Sequence, residues 1–421
     1  MKDRPIPRTR AIRRLLDTAR PTPPTQLPPM ECAGLTAAEA VAAGCDVPER
    51  ASSVRDGYAV CTADIAAATT GRPAVLRVTH TVRAETDPLR PVEPGTAARV
   101  LTGGILPPGS DAVLAEEDVI ARGCGHAPCP THGDAECIEV RGPVRPGWFV
   151  RTAGGEIAGG DVFIQRGQEI SPQAVAVMLR TRVSAAWVHP APRARVVALG
   201  SELSDPTHPG PDTPPQPAAR FPADNLILTS GLLARCGISS IETGVLPDHE
   251  DRLTALLAAD GLPELVITTG GTGRSERDFA RAGARRAGFE TLFDALDIRP
   301  GRNMFAAHRD TTLLIALPGP PTAVFACFHA VVLPALRRLR GLNETAPVTA
   351  RLDATLSSRP GGEWLAPCTL SRHGGHLCAS MLAGKDTPPM LALGQADGVA
   401  VMPGGETLLA GDRVEVLTTL F

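Results

Sequence analysis

ELVIT followed by TGGTG, Glu264 to Gly273, is the stretch on which the reading of this 421-residue chain turns. Leu265, Val266 and Ile267 make a short apolar run of β-forming residues, and the glycine-rich turn after Thr268 stops it. Gly270 and Gly271 let the backbone approach a ligand closely, and the next predicted helix, Arg277 to Ala287, begins with free N–H groups and the positive end of a dipole. A strand, a glycine turn and a helix in that order favour an anion, most simply a phosphate. Thr269, Thr272, Gly273, Ser275, Glu276 and Asp278 add hydroxyls and carboxylates within a few positions. A tight turn alone explains many such glycine pairs, so the surroundings have to decide.

Outward from this stretch the chain alternates. A strand RVVAL ends at Leu199, and a helix is predicted over Asn225 to Cys236. The strand Ile241 to Leu246 follows, then the helix His249 to Ala259, ELVIT, the strand Thr312 to Ala316 and the helix Thr322 to Arg340. Strands alternating with helices of this length predict a parallel sheet covered on both faces, with ligands bound beyond the carboxyl ends of its strands. Two further loops fit that end of a sheet. RPGRN, Arg299 to Asn303, follows an expected strand Leu296 to Ile298 and carries two arginines able to clamp an oxyanion, or simply to face solvent from a turn. LPGPP, Leu317 to Pro321, opens the next helix. Before residue 147 the pattern is short strands and turns, apart from a helix expected at Thr36 to Ala43. After Gly341 it is short strands and Gly-rich turns, which predict a small barrel.

Composition sets the bounds. At roughly 100–200 residues per domain the length predicts two to four domains. Forty-two basic and 45 acidic side chains give a net charge of −3, so no global field attracts nucleic acid or an anionic membrane. The longest apolar run, Ala323 to Leu336, is shorter than the ~18 residues that span a bilayer. Ten cysteines in a chain of this length read as reduced thiols in a cytoplasm. The amino terminus, with Lys2, Arg4, Arg8, Arg10, Arg13 and Arg14 before PTPPTQLPPM, reads as a short basic helix and a stiff polyproline linker.

Seven segments then occur in one order: DGYAV (Asp56 to Val60), RVLTGGILPPGSDAVLAEED (Arg99 to Asp118), GSEL (Gly200 to Leu203), DN (Asp224, Asn225), TTGGTGRSERD (Thr268 to Asp278), RPG (Arg299 to Gly301) and LPG (Leu317 to Gly319). That order resembles the molybdopterin molybdotransferases, the MoeA and gephyrin E-domain family, from about residue 31 to 421. The resemblance implies an α/β multidomain protein. A basic, Pro-rich segment (1–30) is followed by a linker domain (31–55 and 145–187), a β-rich inserted domain (56–144), a molybdopterin-binding domain with a parallel sheet (188–341) and a C-terminal β-barrel (342–421). It also implies an enzyme that takes adenylylated molybdopterin, cleaves the adenylate with Mg²⁺ and inserts molybdate, releasing AMP. The implied partners are a second copy of the chain sharing the active site, a protein delivering the adenylate, and recipient molybdoenzymes.

Carried over position by position, the implied catalytic set is Asp56, Thr102, Glu202, Asp248 and Asp278, with Glu156 where the family has aspartate. Asp278 and Glu202 are the implied Mg²⁺ ligands. The implied substrate-binding set is Thr269, Gly270, Gly271, Thr272, Gly273, Ser275, Asp224, Asn225, Arg299, Gly301, Arg302, Pro318 and Gly319. Simpler roles exist for the acids: a turn at Asp56, a surface pair at Glu202, an N-cap at Asp248. There are departures too. The family's KPGKP is RPGRN here, its PGNP is PGPP, and two basic positions fall on Ala295 and Ala366. These keep alive a carrier paralogue that binds the pterin without inserting metal. A nucleotide-pyrophosphate hydrolase of the CinA type is disfavoured by DGYAV and RVLTGG. Finally, Cys124, His126, Cys129, His132 and Cys137 offer zinc five candidate ligands, or form an exposed turn of reduced thiols.

Overall fold

The computed structural model describes residues 4–86, 90–123, 136–206, 221–273, 279–382 and 387–419. At its centre is a six-stranded sheet in which Ile241–Leu246, Ala194–Leu199, Leu265–Thr269 and Thr312–Leu317 lie parallel in that spatial order. Phe305–Arg309 and Glu290–Phe293 then extend it antiparallel, so the sheet is mixed where sequence alternation predicts an all-parallel one. The reason is local: Phe305–Arg309 and Thr312–Leu317 are joined by a hairpin turn, which permits only antiparallel pairing.

From Ala194–Leu199 the chain passes through the helix Asp224–Arg235 to one neighbouring strand, and then through Glu250–Ala258 to the neighbour on the other side. The two helices cover opposite faces. Leu226 and Leu233 belong to one buried cluster with Val196 and Ile267, whereas Leu253 and Leu257 pack with Val197 and Val266. Alternate residues of one strand thus point into different cores, as the period of two demands. The strand order reverses between Leu199 and Thr269, which opens a crevice at the carboxyl ends of these two strands.

The helical run Pro321–Leu339 is a core element. Its 19 residues make it long and apolar enough to cross a bilayer by length and composition, exceeding the sequence-based limit, but 72% of that window is buried inside the protein. Pro334 brings no N–H to the ladder, and a π turn at Phe328–Val332 takes up the mismatch.

Residues 348–417 close a five-stranded barrel from Glu363–His373, His376–Met381, Val348–Leu352, Arg413–Leu417 and Gly398–Met402. Ala400 and Met402 point into it, while Val399 and Val401 pack on the α/β core. A second six-stranded sheet, built on Gly57–Val60 and Thr96–Val100, forms the inserted unit with its own buried clusters. The linker unit joins the two through small sheets and the helix Pro172–Arg180, capped by Ser171.

Several local expectations are corrected. Thr36–Ala37 and Val41–Ala42 are strands, not a helix over Thr36 to Ala43, because pairing with Ala186–His189 and Val162–Ile164 buries Ala37 and Val41. That pairing also keeps Ala186–His189 in the linker sheet. Thr25–Leu27 is a strand on the same sheet, so the Pro-rich segment is no free spacer.

The basic helix forms at Arg8–Thr18 but is built into the fold. Ala11 and Leu15 are fully buried in the α/β core, and Arg10, Arg13 and Arg14 face solvent. Arg8 is itself buried, holding Glu363 through Nε at 2.7 Å and Glu415 through Nη2 at 2.9 Å across the barrel. Arg8→Ala is expected to cost about 2–3 kcal/mol. The value falls below the range for a fully buried pair because the carboxylates are 31% and 32% exposed. The shift of the urea midpoint measures it, and an unchanged midpoint would mean that the helix is held by Ala11 and Leu15 alone.

Candidate active site

The crevice at the switch point holds a cavity of about 590 Å³. Eight of the residues expected from sequence line it: Glu202, Asp224, Asn225, Asp248, Thr269, Gly270, Gly271 and Gly319. Its floor depends on glycine. Gly270 has φ 88°, and a Cβ there would sit 2.6 Å from the Leu199 carbonyl oxygen, so only glycine lets the loop lie against the neighbouring strand end. The Gly270 amide is meanwhile tied to the Leu317 carbonyl at 3.1 Å.

Asn225 donates from Nδ2 to the Gly319 carbonyl at 2.7 Å, which joins the start of its helix to the LPGPP loop. Its Oδ1 and the Thr269 hydroxyl are buried without a hydrogen-bond partner. Such groups are costly to leave unmade and suit a polar ligand. Ser201 and Asp248 hold each other: the Asp248 amide donates to Ser201 Oγ at 3.0 Å and the Ser201 amide to Asp248 Oδ2 at 3.4 Å. Asp248 therefore lies just ahead of its helix and is anchored across the crevice, not to the helix as an N-cap. Leu199, Leu203, Phe221 and Pro222 supply an apolar wall. No local pattern marked Phe221 and Pro222, which reach the site by pairing with Leu203–Ser204.

Not every expected residue meets the cavity. Thr272 is buried under the loop, and Pro318 is half-buried beside Gly319. Gly273 ends the described segment, whereas Ser275 and Asp278 lie outside the described residues. Asp56 and Thr102 sit on the inserted unit, none of whose described residues lines the cavity. They pair with each other: the Thr102 amide and hydroxyl both donate to Asp56 Oδ1, at 2.6 and 2.7 Å. The hydroxyl bond first, then the amide bond, holds the Asp56 carboxyl below the usual carboxylate range. Glu156 lies in the linker unit, ion-paired to Arg151 beside the strand Ser52–Ser53.

RPGRN is placed differently from the expectation. The strand before it, Ile298–Arg299, pairs parallel with Glu363–Trp364 of the barrel, so the loop does not end a strand of the α/β sheet. Gly301, at φ 104°, packs over Cys327, whose Sγ would lie 2.2 Å from a Cβ there. Arg299 and Arg302 are exposed, and neither side chain makes a hydrogen bond or ion pair among the described residues. Of the zinc candidates, only Cys137 is described. It is disulfide-bonded, which removes it as a thiolate ligand and corrects the reading of all ten cysteines as reduced. Cys124, His126, Cys129 and His132 lie outside the described residues.

Residues 6–181 match the model of the MoeA N-terminal region (domain I and II), and residues 195–338 match the probable molybdopterin binding domain. Together they account for about three-quarters of the chain. The chain belongs to the MoeA family. Its MoeA-family relatives include the molybdopterin molybdenumtransferase of Staphylococcus aureus, 25% identical over 99% of this chain and 96% of the relative. Molybdopterin molybdenumtransferase 2 of Mycobacterium tuberculosis is 26% identical over 80% and 82% of the two chains. The MoeA fold is shared with a molybdopterin biosynthesis MoeA protein of Pyrococcus horikoshii, with a TM-score of 0.79 at 23% identity, covering 99% of this chain and 100% of that one. The barrel beyond residue 338, outside both family models, is thus part of the common architecture.

Proposed function

We propose that the chain is a molybdopterin molybdenumtransferase, inserting molybdate into adenylylated molybdopterin with release of AMP. The observation that carries this is the switch-point cavity, lined by a left-handed glycine loop, unpaired polar atoms and three carboxylates, in a chain whose sequence aligns over 99% of its length with a relative of that name. The turn cradles phosphate oxygens through the backbone N–H groups of Gly271 and Thr272, the Gly270 amide being held by Leu317, and Asn225 Oδ1 and the Thr269 hydroxyl take polar groups of the substrate. Glu202 and Asp248 suit Mg²⁺, which binds through one or two carboxylates together with substrate phosphates. Among the described residues no three His, Cys, Asp or Glu side chains close a cage of their own. Such a cation neutralises charge developing on a cleaved pyrophosphate. Asp56, ionised and with no described residue bonded to Oδ2, positions the attacking water. Because Asp56 belongs to a unit with no described residue in the cavity wall, the complete site is assigned to a homodimer, with Asp56 and Thr102 supplied by the second copy. Arg299 and Arg302 hold the incoming oxyanion.

A carrier reading is favoured by one observation: Ala366, where the family pattern has arginine, is fully buried in the barrel wall and brings no charge. Supplying adenylylated molybdopterin, Mg²⁺ and molybdate separates the two. The transferase releases AMP and yields active cofactor, whereas a carrier retains the adenylate. With the transferase, Arg302→Ala is expected to weaken molybdate binding by about 1.5–3 kcal/mol, roughly 10–150-fold, with a smaller effect on AMP release. Equal loss of both would place Arg302 on the adenylate instead.

A further inference from the structure

We infer that Arg281 is a positioning residue that locks the RPGRN loop against the glycine loop, and so sets where Arg299 and Arg302 stand relative to that loop. Arg281 lies at the second position of the helix Ala280–Arg286, and its guanidinium reaches three separate stretches of backbone. Nη1 donates to the Thr272 carbonyl of the glycine loop at 3.0 Å. Nη2 donates to the Asp294 carbonyl at 2.9 Å, ahead of the RPGRN segment, and to the carbonyl of Asn303, its last residue, at 2.5 Å. Nε faces the Asp294 carboxylate at 3.6 Å, and the group lies over the Phe305 ring, 4.9 Å from its centroid.

A planar fork with acceptors on both terminal nitrogens and a ring beneath it has one orientation, so it fixes the distances among its acceptors. Both terminal nitrogens are engaged with backbone carbonyls, which leaves Arg281 to act through the loops and not on a substrate. The two loops depend on it unequally. The glycine turn is also anchored by the Gly270 amide on Leu317. The RPGRN segment is held at its root by Ile6, which exchanges backbone hydrogen bonds with Ala295 and Asp297, but near Asn303 the tie to the glycine loop runs through Arg281.

This inference rests on the assignment of Arg299 and Arg302 to the oxyanion, and its test separates the two. In Arg281→Ala the amides of Leu296 and Met304, bonded within the loop to the Arg302 and Gly301 carbonyls, should exchange hydrogen at least tenfold faster, while those of Leu265–Thr269 stay unchanged. The KM for molybdate should rise about tenfold and that for the adenylylated pterin by less than twofold. Arg281→Lys, which keeps the charge but not the fork, should fall between. Arg14→Ala, which removes a comparable arginine bond to the Leu292 carbonyl, should leave both KM values alone. Unchanged exchange at Leu296 and Met304 would overturn the tether, whatever the kinetics. Faster exchange with no change in molybdate KM would overturn the positioning role. If wild-type protein shows no saturable molybdate dependence, the assignment of the two arginines fails, and exchange alone decides whether Arg281 joins the loops.

Discussion

Asp56→Asn is expected to slow turnover about a thousandfold, within the range for losing a positioned acid–base group, while leaving the monomer folded. The side chain is exposed, and its bonds to Thr102 lie at the surface, so little of the fold depends on it. The pH profile carries a second expectation. Thr102 holds the Asp56 carboxyl below its usual range, so the ionised form persists as pH falls past the value at which a free aspartate protonates, about 4. Activity that needs the carboxylate is lost only as pH drops through the lowered value. Thr102→Val removes the hydroxyl bond and keeps the amide bond, so the acid limb of kcat/KM should move to higher pH. An unmoved limb would mean that Asp56 is not the group titrating in turnover.

Gly270→Ala is expected to lower affinity for the pterin several-hundredfold. Two costs combine. A left-handed conformation costs a non-glycine residue about 1–2 kcal/mol, and the new Cβ meets the Leu199 carbonyl at 2.6 Å, at the end of a paired strand that has no room to retreat. The loop must lift, and its N–H groups leave the positions from which they cradle phosphate. Gly261→Ala isolates the first cost: φ is 69° and open space surrounds it, so it should lower the melting temperature without changing pterin affinity. Equal affinity losses in both variants would reduce the Gly270 effect to general destabilisation.

Mixing the two defects tests the shared site. If each site takes Asp56 from one chain and the glycine loop from the other, random assortment of Asp56→Asn and Gly270→Ala chains leaves half the dimers with one intact site of two, about a quarter of wild-type activity. A site complete within one chain predicts no recovery.

Much of the centre was legible from local pattern. Leu265–Ile267 followed by two glycines is strand and turn by residue type alone, and the strands at Ile241–Leu246 and Thr312–Leu317 fall where their apolar runs lie. The separation of Asp56 from the glycine loop by over 200 positions was legible as well, but not what lies between them in space. Position in sequence carries no register between distant strands, so Ile298–Arg299 looked like a strand of the α/β sheet until it was seen paired with Glu363–Trp364 of the barrel.

What sequence alone determined, then, is what depends on neighbours: apolar periodicity, glycine where φ turns positive, proline where a ladder lacks a donor. Tertiary structure decided the strand order that opens the crevice, the strands in place of a helix at Thr36 to Ala43, and the burial of Arg8 between two glutamates 355 and 407 positions away. It also brought the Thr272, Asp294 and Asn303 carbonyls onto one guanidinium. The physical reason is the same in each case. These contacts are chosen by which surfaces can be buried together with their polar groups satisfied, a condition on the whole chain that no single segment states.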